Sequence, residues 1–260
     1  MTIGNYKTQY LGVQGEIRSG TAPSYDFLKE TYVTLPSGRN VGDREELPNG
    51  KVFRLAKAGA AIATTDLACS FAAATKIAAE AFAAVSLINT NVVYINEAGI
   101  TADQLRGGEI IIYRNGYSTH FSCGVIGNTA SDASNNVTVY LDMSLPYALT
   151  TSDTFEMMLN PWSDLRQTNY GGRASFAGMP VVTVASGSYF WIQTYGPIWC
   201  APQSGVGASA YVRSVYFRHD GSLDIRGNIG TYVTDQLAGF VIEYDASAQG
   251  PPLVCLTVWK

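Results

Sequence analysis

The sequence predicts a mainly β protein. It has two β-barrel- or β-sandwich-like domains behind an extended N-terminal arm, with one Ala-rich helix. Three observations predict this. From Asn91 onward, runs of β-branched and aromatic residues recur at intervals of roughly ten residues. Gly, Asn and Pro stand between those runs, as in Asn115-Gly116 and Asn160-Pro161. The last run, Leu253 to Trp259, leaves only Lys260 beyond it, the compact ending of a terminus tied into a sheet.

Residues 1–30 are polar with scattered aromatics, Tyr6, Tyr10, Tyr25 and Phe27, and no period. They read as an extended arm whose aromatics dock on a partner, or as a loose terminus. Leu35-Pro36-Ser37-Gly38 and Leu47-Pro48-Asn49-Gly50 are turn signals, because Pro presets φ and Gly accepts a positive one. The second turn separates Glu45-Glu46 from Lys51 to Ala56, the two arms of a hairpin. Residues 58–85 are rich in alanine. From Asp66, a candidate N-cap, to Val85, the apolar residues Leu67, Phe71, Ala74, Ile77, Ala81 and Val85 recur near helical spacing. This predicts a helix packed on a sheet, with an extended Ala-rich segment as the alternative.

Strands are then predicted at Val92 to Asn96, Glu109 to Tyr113, Ser118 to Ile126, Val137 to Leu141 and Asp153 to Leu159. Ser163 to Gly178 holds Gly171-Gly172 and no apolar period, so it reads as a linker. Residues 31–162 thus form one domain and 179–260 the other. The second begins with a strand at Val181 to Val184 and continues with Ser188 to Cys200, the densest aromatic run in the chain. Further strands follow at Ala210 to Phe217, Thr231 to Thr234, Gly239 to Tyr244 and Leu253 to Trp259. In the aromatic run, alternation puts Tyr189, Trp191, Gln193 and Tyr195 on one face and Phe190, Ile192 and Thr194 on the other. Both faces are largely apolar, which suits a strand buried on both sides. Tyr189, Trp191, Tyr195 and Trp199 are therefore core, subunit interface or a sugar-stacking platform.

Composition narrows the function. The chain of 260 residues can bury a sizeable core without disulfides or metals. Only 15% of residues are charged, well below the usual quarter or so. Burial against neighbouring chains explains that deficit, and so does an uncharged Ser/Thr/Asn surface. A net charge of −4 argues against a nucleic-acid partner. The N-terminus carries no signal-peptide pattern, and no apolar run approaches the ~18 residues of a membrane span, so no membrane partner is expected. Cys69, Cys123, Cys200 and Cys255 are far apart and read as reduced thiols rather than metal ligands.

The search for catalytic groups is unproductive. His120 and Cys123 stand three apart on a predicted strand, so they point to opposite faces. His219 falls at a turn, Arg218-His219-Asp220-Gly221. The carboxylates are scattered, with no pair marking a glycosidase. Gly107-Gly108 and Gly171-Gly172 lack the rest of any phosphate-binding motif and read as turns. No catalytic residue, metal ligand or cofactor is predicted, and the chain is not expected to be an enzyme.

Glu46-Leu47-Pro48-Asn49-Gly50-Lys51-Val52-Phe53-Arg54-Leu55-Ala56-Lys57-Ala58-Gly59-Ala60 is similar to a segment of virion structural proteins of tailed bacteriophages, notably aquatic ones. Leu105-Arg106-Gly107-Gly108, Asp153 to Pro161 and Ser188 to Pro197 fit the same family in the same order. The resemblance covers residues 40–260. It implies a capsid decoration (cement) protein, made in the host cytoplasm and bound outside the shell of the major capsid protein. It also implies self-association as a dimer or trimer on a symmetry axis of that shell. It carries over no functional residue. In relatives the region matching 60–90 reads as loop and strand, and the N-terminal arm matches nothing. A tail- or fibre-associated receptor- or glycan-binding protein is the alternative.

Overall fold

The alternation in Glu109-Ile110-Ile111-Ile112-Tyr113 becomes a strand with Ile110 and Ile112 fully buried and the intervening residues half-exposed. The computed structural model, which describes residues 25–72, 75–118, 120–167, 175–199, 206–207, 211–226, 233–243 and 253–260, is built of such strands. Its helical pieces include the 3-10 turns Asp26–Lys29 and Pro161–Ser163. The chain divides into two units. One is Ala72–Ser163; the other combines Met1–Phe71 with Asp164–Lys260. Each holds a curled sheet that forms a half-barrel.

The discontinuous unit opens with β1 (Thr31–Tyr32), β2 (Arg44–Glu46), β3 (Val52–Lys57) and β4 (Cys69–Phe71). β2 and β3 form the expected hairpin, with Glu46 opposite Val52 and the turn closed by the Gly50 N–H on the Leu47 carbonyl at 2.9 Å.

The continuous unit follows as β5 (Thr75–Ala81), β6 (Val92–Asn96), β7 (Glu109–Tyr113), β8 (His120–Asn128), β9 (Asn136–Leu141) and β10 (Thr154–Met158). They pair antiparallel in the order β5-β10-β7-β8-β9-β6. The Ala83 N–H reaches the Tyr94 carbonyl at 2.9 Å, so the chain leaving one edge strand bonds the other. Inside lie Ile95, Leu105, Ile110, Ile112, Val139 and Phe155, among others. Two devices hold the crossing from β6 to β7. Buried Asn128 accepts the Leu105 N–H at 2.8 Å and donates to the Thr101 and Thr129 carbonyls at 2.9 and 2.8 Å. Gly108 lets that crossing lie against β10, since a Cβ there would stand 2.2 Å from the Met158 carbonyl oxygen.

The predicted helix at Asp66 to Val85 is not formed. Cys69–Phe71 pairs with two neighbours as β4, and Thr75–Ala81 is the edge strand β5. Alanine's helical preference is a few tenths of a kcal/mol per residue, and sheet pairing with burial of Cys69, Ile77 and Phe82 outweighs it. The apolar spacing that suggested a helix is also that of a bulged strand. Ala78 and Ala79 together oppose one residue of β10, and Ala79 sits at φ +53°.

The discontinuous unit resumes with β11 (Leu165–Arg166), β12 (Phe176–Pro180), β13 (Tyr189–Trp199), β14 (Ser214–Arg218), β15 (Leu223–Asp224), β16 (Val233–Glu243) and β17 (Leu253–Thr257). Its sheet runs β11-β4-β12-β13-β17-β16-β14-β15, with β1 and β3 also on β13 and β2 on β3. The stretch expected as a linker, 163–178, therefore contains β11 and most of β12, whose residues are all buried. The unit boundary does fall at its start. Residues before Ala72 nevertheless belong with those after Ser163, because β4 is held between β11 and β12. The strand expected at Val181 to Val184 is displaced. β12 precedes it, and Val184 keeps only an isolated bridge to Ile62. The described parts of the runs expected at Thr231 to Thr234 and Gly239 to Tyr244 join within one strand, β16.

The arm expected over residues 1–30 falls partly outside the described residues. Its end does not: Asp26–Lys29 is a 3-10 turn with Leu28 buried, and Thr31 and Tyr32 pair with β13.

Two outcomes test this account. Ala79→Gly removes a left-handed Cβ conflict and raises the urea midpoint, a gain of about 1 kcal/mol. The second concerns Asp153, which accepts the Asn115 N–H at 2.8 Å and the Thr150 N–H at 2.7 Å. Burial pushes its carboxyl up, but these bonds, the Thr150 hydroxyl and the Arg114 charge hold it below its ordinary value. Such a group stabilises the fold above its unfolded pKa, and the contribution is lost as pH falls through the folded pKa. Asp153→Asn therefore lowers stability at pH 7 and flattens its decline below about pH 4, as read by urea titrations at several pH values.

Candidate functional site

β13 is covered along its first half and bare along its second. In the first half, Phe190 to Thr194 are buried on both faces. The Trp191 ring meets the edge of Phe27 at 5.8 Å, and the Arg39 guanidinium lies 5.4 Å from its centre. Arg39 is held there by Glu45 at 2.6 Å. Leu28, Leu47, Phe53 and Leu55 complete the cluster, with Tyr25, Tyr32 and Tyr189 against it.

The predicted site residues thus separate into three groups. Tyr6 and Tyr10 lie outside the described residues. Of Tyr25 and Phe27, expected to dock on a partner, Phe27 meets Trp191 of its own chain and Tyr25 packs against Phe27. Trp191, 2% exposed, has no face left for a sugar. Tyr189 is half-buried beneath the Lys57 ammonium, 5.5 Å from the ring centre.

Tyr195 and Trp199 lie beyond an irregularity in the strand. Thr194 is an extra residue against β3, and Gly196 adopts φ +91° with the Gly50 carbonyl 2.8 Å from where a Cβ would stand. The buried Gln193 amide donates to the carbonyls of Tyr195, Gly196 and Pro197 at 3.3, 3.2 and 3.0 Å. Past this point Ile198 turns inward, and Pro197 and Trp199 turn outward.

Their neighbours across the sheet are apolar too. Trp199 lies opposite Leu253, and Pro197 opposite Cys255. Cys255 in turn lies opposite Phe240. Side chains paired in this way stand about 5 Å apart, so they form continuous rows. Val254, Leu256 and Val241 face the core, which sends Leu253, Cys255, Phe240 and Ile242 outward. Trp199 is 69% exposed, and Phe240 and Leu237 are each 47% exposed. The charges stand at the margins: Glu243 opposite Leu253, and Lys260 5.5 Å from the Tyr195 ring centre. Sequence reasoning missed the β16 and β17 half of this face. The exposed Phe240 and Ile242 alternate with buried Val241, but such a pattern does not say which face is the core.

The surface offers contact, not acid–base or nucleophilic chemistry. Burial raises the Cys255 thiol, against a lowering Gly196 backbone bond. Burial also raises Cys69, and it pushes Cys123 up to about 11 with help from the Asp142 and Glu109 charges. These three thiols are free and protonated at neutral pH; Cys200 lies outside the described residues. His120 is exposed and meets Tyr113 edge-on at 4.9 Å, while Cys123 is buried on the opposite face of β8. Buried Asp224 is paired with Arg218 at 3.4 Å. No family model, curated protein or solved structure matches the chain.

The two tryptophans give opposite expectations. Trp191→Ala empties a packed cluster and costs about 3–5 kcal/mol in urea denaturation. Trp199→Ala changes stability by no more than about 0.5 kcal/mol.

Proposed function

We propose that the chain is a non-enzymatic virion structural protein, a decoration protein that binds the exterior of a tailed-bacteriophage capsid and stabilises the major capsid protein shell. The observation that carries this is the bare apolar face of β13, β17 and β16. An exposed Trp, Phe, Ile and Leu together on one sheet face suit a protein–protein contact. The resemblance of residues 40–260 to phage virion proteins supplies the identity of the partner. The small share of charged residues agrees with a surface that is covered when the protein is in place. A ligand that binds only the assembled lattice stabilises it by mass action, so no chemistry is required of the protein.

Trp199 also supports a second reading, a receptor- or glycan-binding protein of the tail or fibre. An exposed indole at a sheet edge is a stacking platform for a sugar.

The test is co-sedimentation of the purified chain with undecorated shells and with unassembled major capsid protein. Binding to shells alone, a raised temperature of shell disruption, and at least about tenfold weaker binding by Trp199→Ser/Phe240→Ser are expected. No binding to shells, or unchanged binding by the double variant, removes this reading. Sugar binding on a glycan array that is lost in Trp199→Ala selects the second.

A further inference from the structure

The continuous unit carries a guanidinium clamped between two aromatic rings, with no side-chain hydrogen bond among the described residues. The Arg114 guanidinium carbon lies 3.9 Å from the centre of the Tyr117 ring and 4.2 Å from that of Tyr147. Phe121 packs against Tyr147 at 6.2 Å and backs the clamp. Local sequence explains half of it. Arg114-Asn115-Gly116-Tyr117 is the turn between β7 and β8, and the Tyr117 N–H closes on the Arg114 carbonyl at 3.3 Å. Tyr147 comes from a distant loop.

Among the described residues the Arg114 side chain makes no hydrogen bond or ion pair, and its Nε is buried without an acceptor. Asp153, whose carboxyl feels the Arg114 charge, is buried and already committed to Asn115 and Thr150. Stacking fixes the plane of a guanidinium but leaves its N–H groups free, and these form a fork shaped for a carboxylate. Holding such a group in place before binding reduces the ordering cost of the contact.

The stretch of chain that carries Tyr147 is largely apolar and uncharged. Tyr147 lies on a bend in a segment tied at two points to residues 86–90. Ser86 and Leu149 bridge at one end, and the Leu145 N–H meets the Thr90 carbonyl at 2.7 Å at the other. The other segment presents Leu87, 66% exposed, and Ile88, 53% exposed. No charged residue occurs between Glu80 and Glu97 or between Asp142 and Asp153, the stretches that supply the two segments.

We infer that Arg114, held by Tyr117 and Tyr147 beside Leu87 and Ile88, is a docking site for an acidic side chain carried on an apolar segment of a partner protein. Charge complementarity selects the carboxylate. The aliphatic residues select protein over an acidic polysaccharide, because Leu and Ile offer sugar hydroxyls no hydrogen bond. The site belongs to the continuous unit and does not depend on the Trp199 face.

The test is panning of a displayed random dodecapeptide library on the immobilised chain, with selected peptides remeasured by fluorescence polarisation. Enriched peptides should carry an Asp or Glu flanked by apolar residues. Replacing that acid by its amide should weaken binding at least about tenfold, the loss of a charge-assisted pair. Arg114→Gln should abolish the preference for acid. Leu87→Ser, at an exposed position that the fold tolerates, should weaken acid and amide peptides alike. Circular dichroism and urea midpoints verify that both variants are folded. The inference is overturned by a failure to enrich, by enriched peptides without acids, or by equal binding to Arg114→Gln. Oligouronates that bind more tightly than the selected peptides overturn it in favour of a glycan.

Discussion

Gln193 holds together the strand on which the larger sheet depends. Without β13 that sheet falls into pieces: β11-β4-β12, β17-β16-β14-β15, the β2-β3 hairpin, and β1 alone. An antiparallel residue has one partner on each edge. Phe190 is shared by β3 and β1, Gln193 by β3 and β12, and Tyr195 by β3 and β17. Three different strands thus follow one another along the edge opposite β3. The change from β12 to β17 coincides with a break in the ladder to β3, which falls at Thr194 to Pro197. Pro197 brings no N–H, and the glycine before it is in a left-handed conformation. Carbonyls left inside at such a place cost about 1–3 kcal/mol each. The single buried amide of Gln193 faces three of them.

The same break divides the strand by function. Before it, β13 is a core strand, closed by Trp191 beneath Phe27 and Arg39. After it, β13 carries Trp199 to the surface beside β17. An apolar strand is thereby half sequestered and half displayed. Phe240 and Ile242 on β16 extend the displayed half across the sheet, where a lone exposed tryptophan would have been an unremarkable surface residue.

Most strands were legible because their pairing agreed with their local pattern. Asn49-Gly50 and Asn115-Gly116 mark hairpins whose registers the structure keeps. The failures have a common cause, which is that long-range pairing overrode a local preference. Ala-rich 66–85 favours a helix only while its partners are ignored, and β10, β11 and β12 lie far along the chain. The stretch 163–178 lacks any apolar period, yet it contributes strands because β4 is already waiting for them. Trp191 was legible as core, subunit interface or platform, and only the arrival of Phe27 and Arg39 decides among these. Arg114 passed unnoticed. Tyr117 three residues on was a visible signal, but Tyr147 is brought in by the fold, and a stacked arginine differs from a solvated one only in three dimensions.

A face of this size also bears on how the protein would tell an assembled shell from free subunits. Burying a large apolar side chain is worth roughly 1.5–3 kcal/mol, before the cost of losing translational and rotational freedom. That cost is several kcal/mol, so four or five such side chains leave a weak contact with a single subunit. Weak contacts become selective when several are made at once, because the later ones form at high effective concentration. An assembled lattice offers fixed neighbours and a free subunit does not. On the proposed reading, the apolar face and the clamped arginine, each modest alone, would act as separate weak contacts from which preference for a lattice follows without great affinity for any one of its parts.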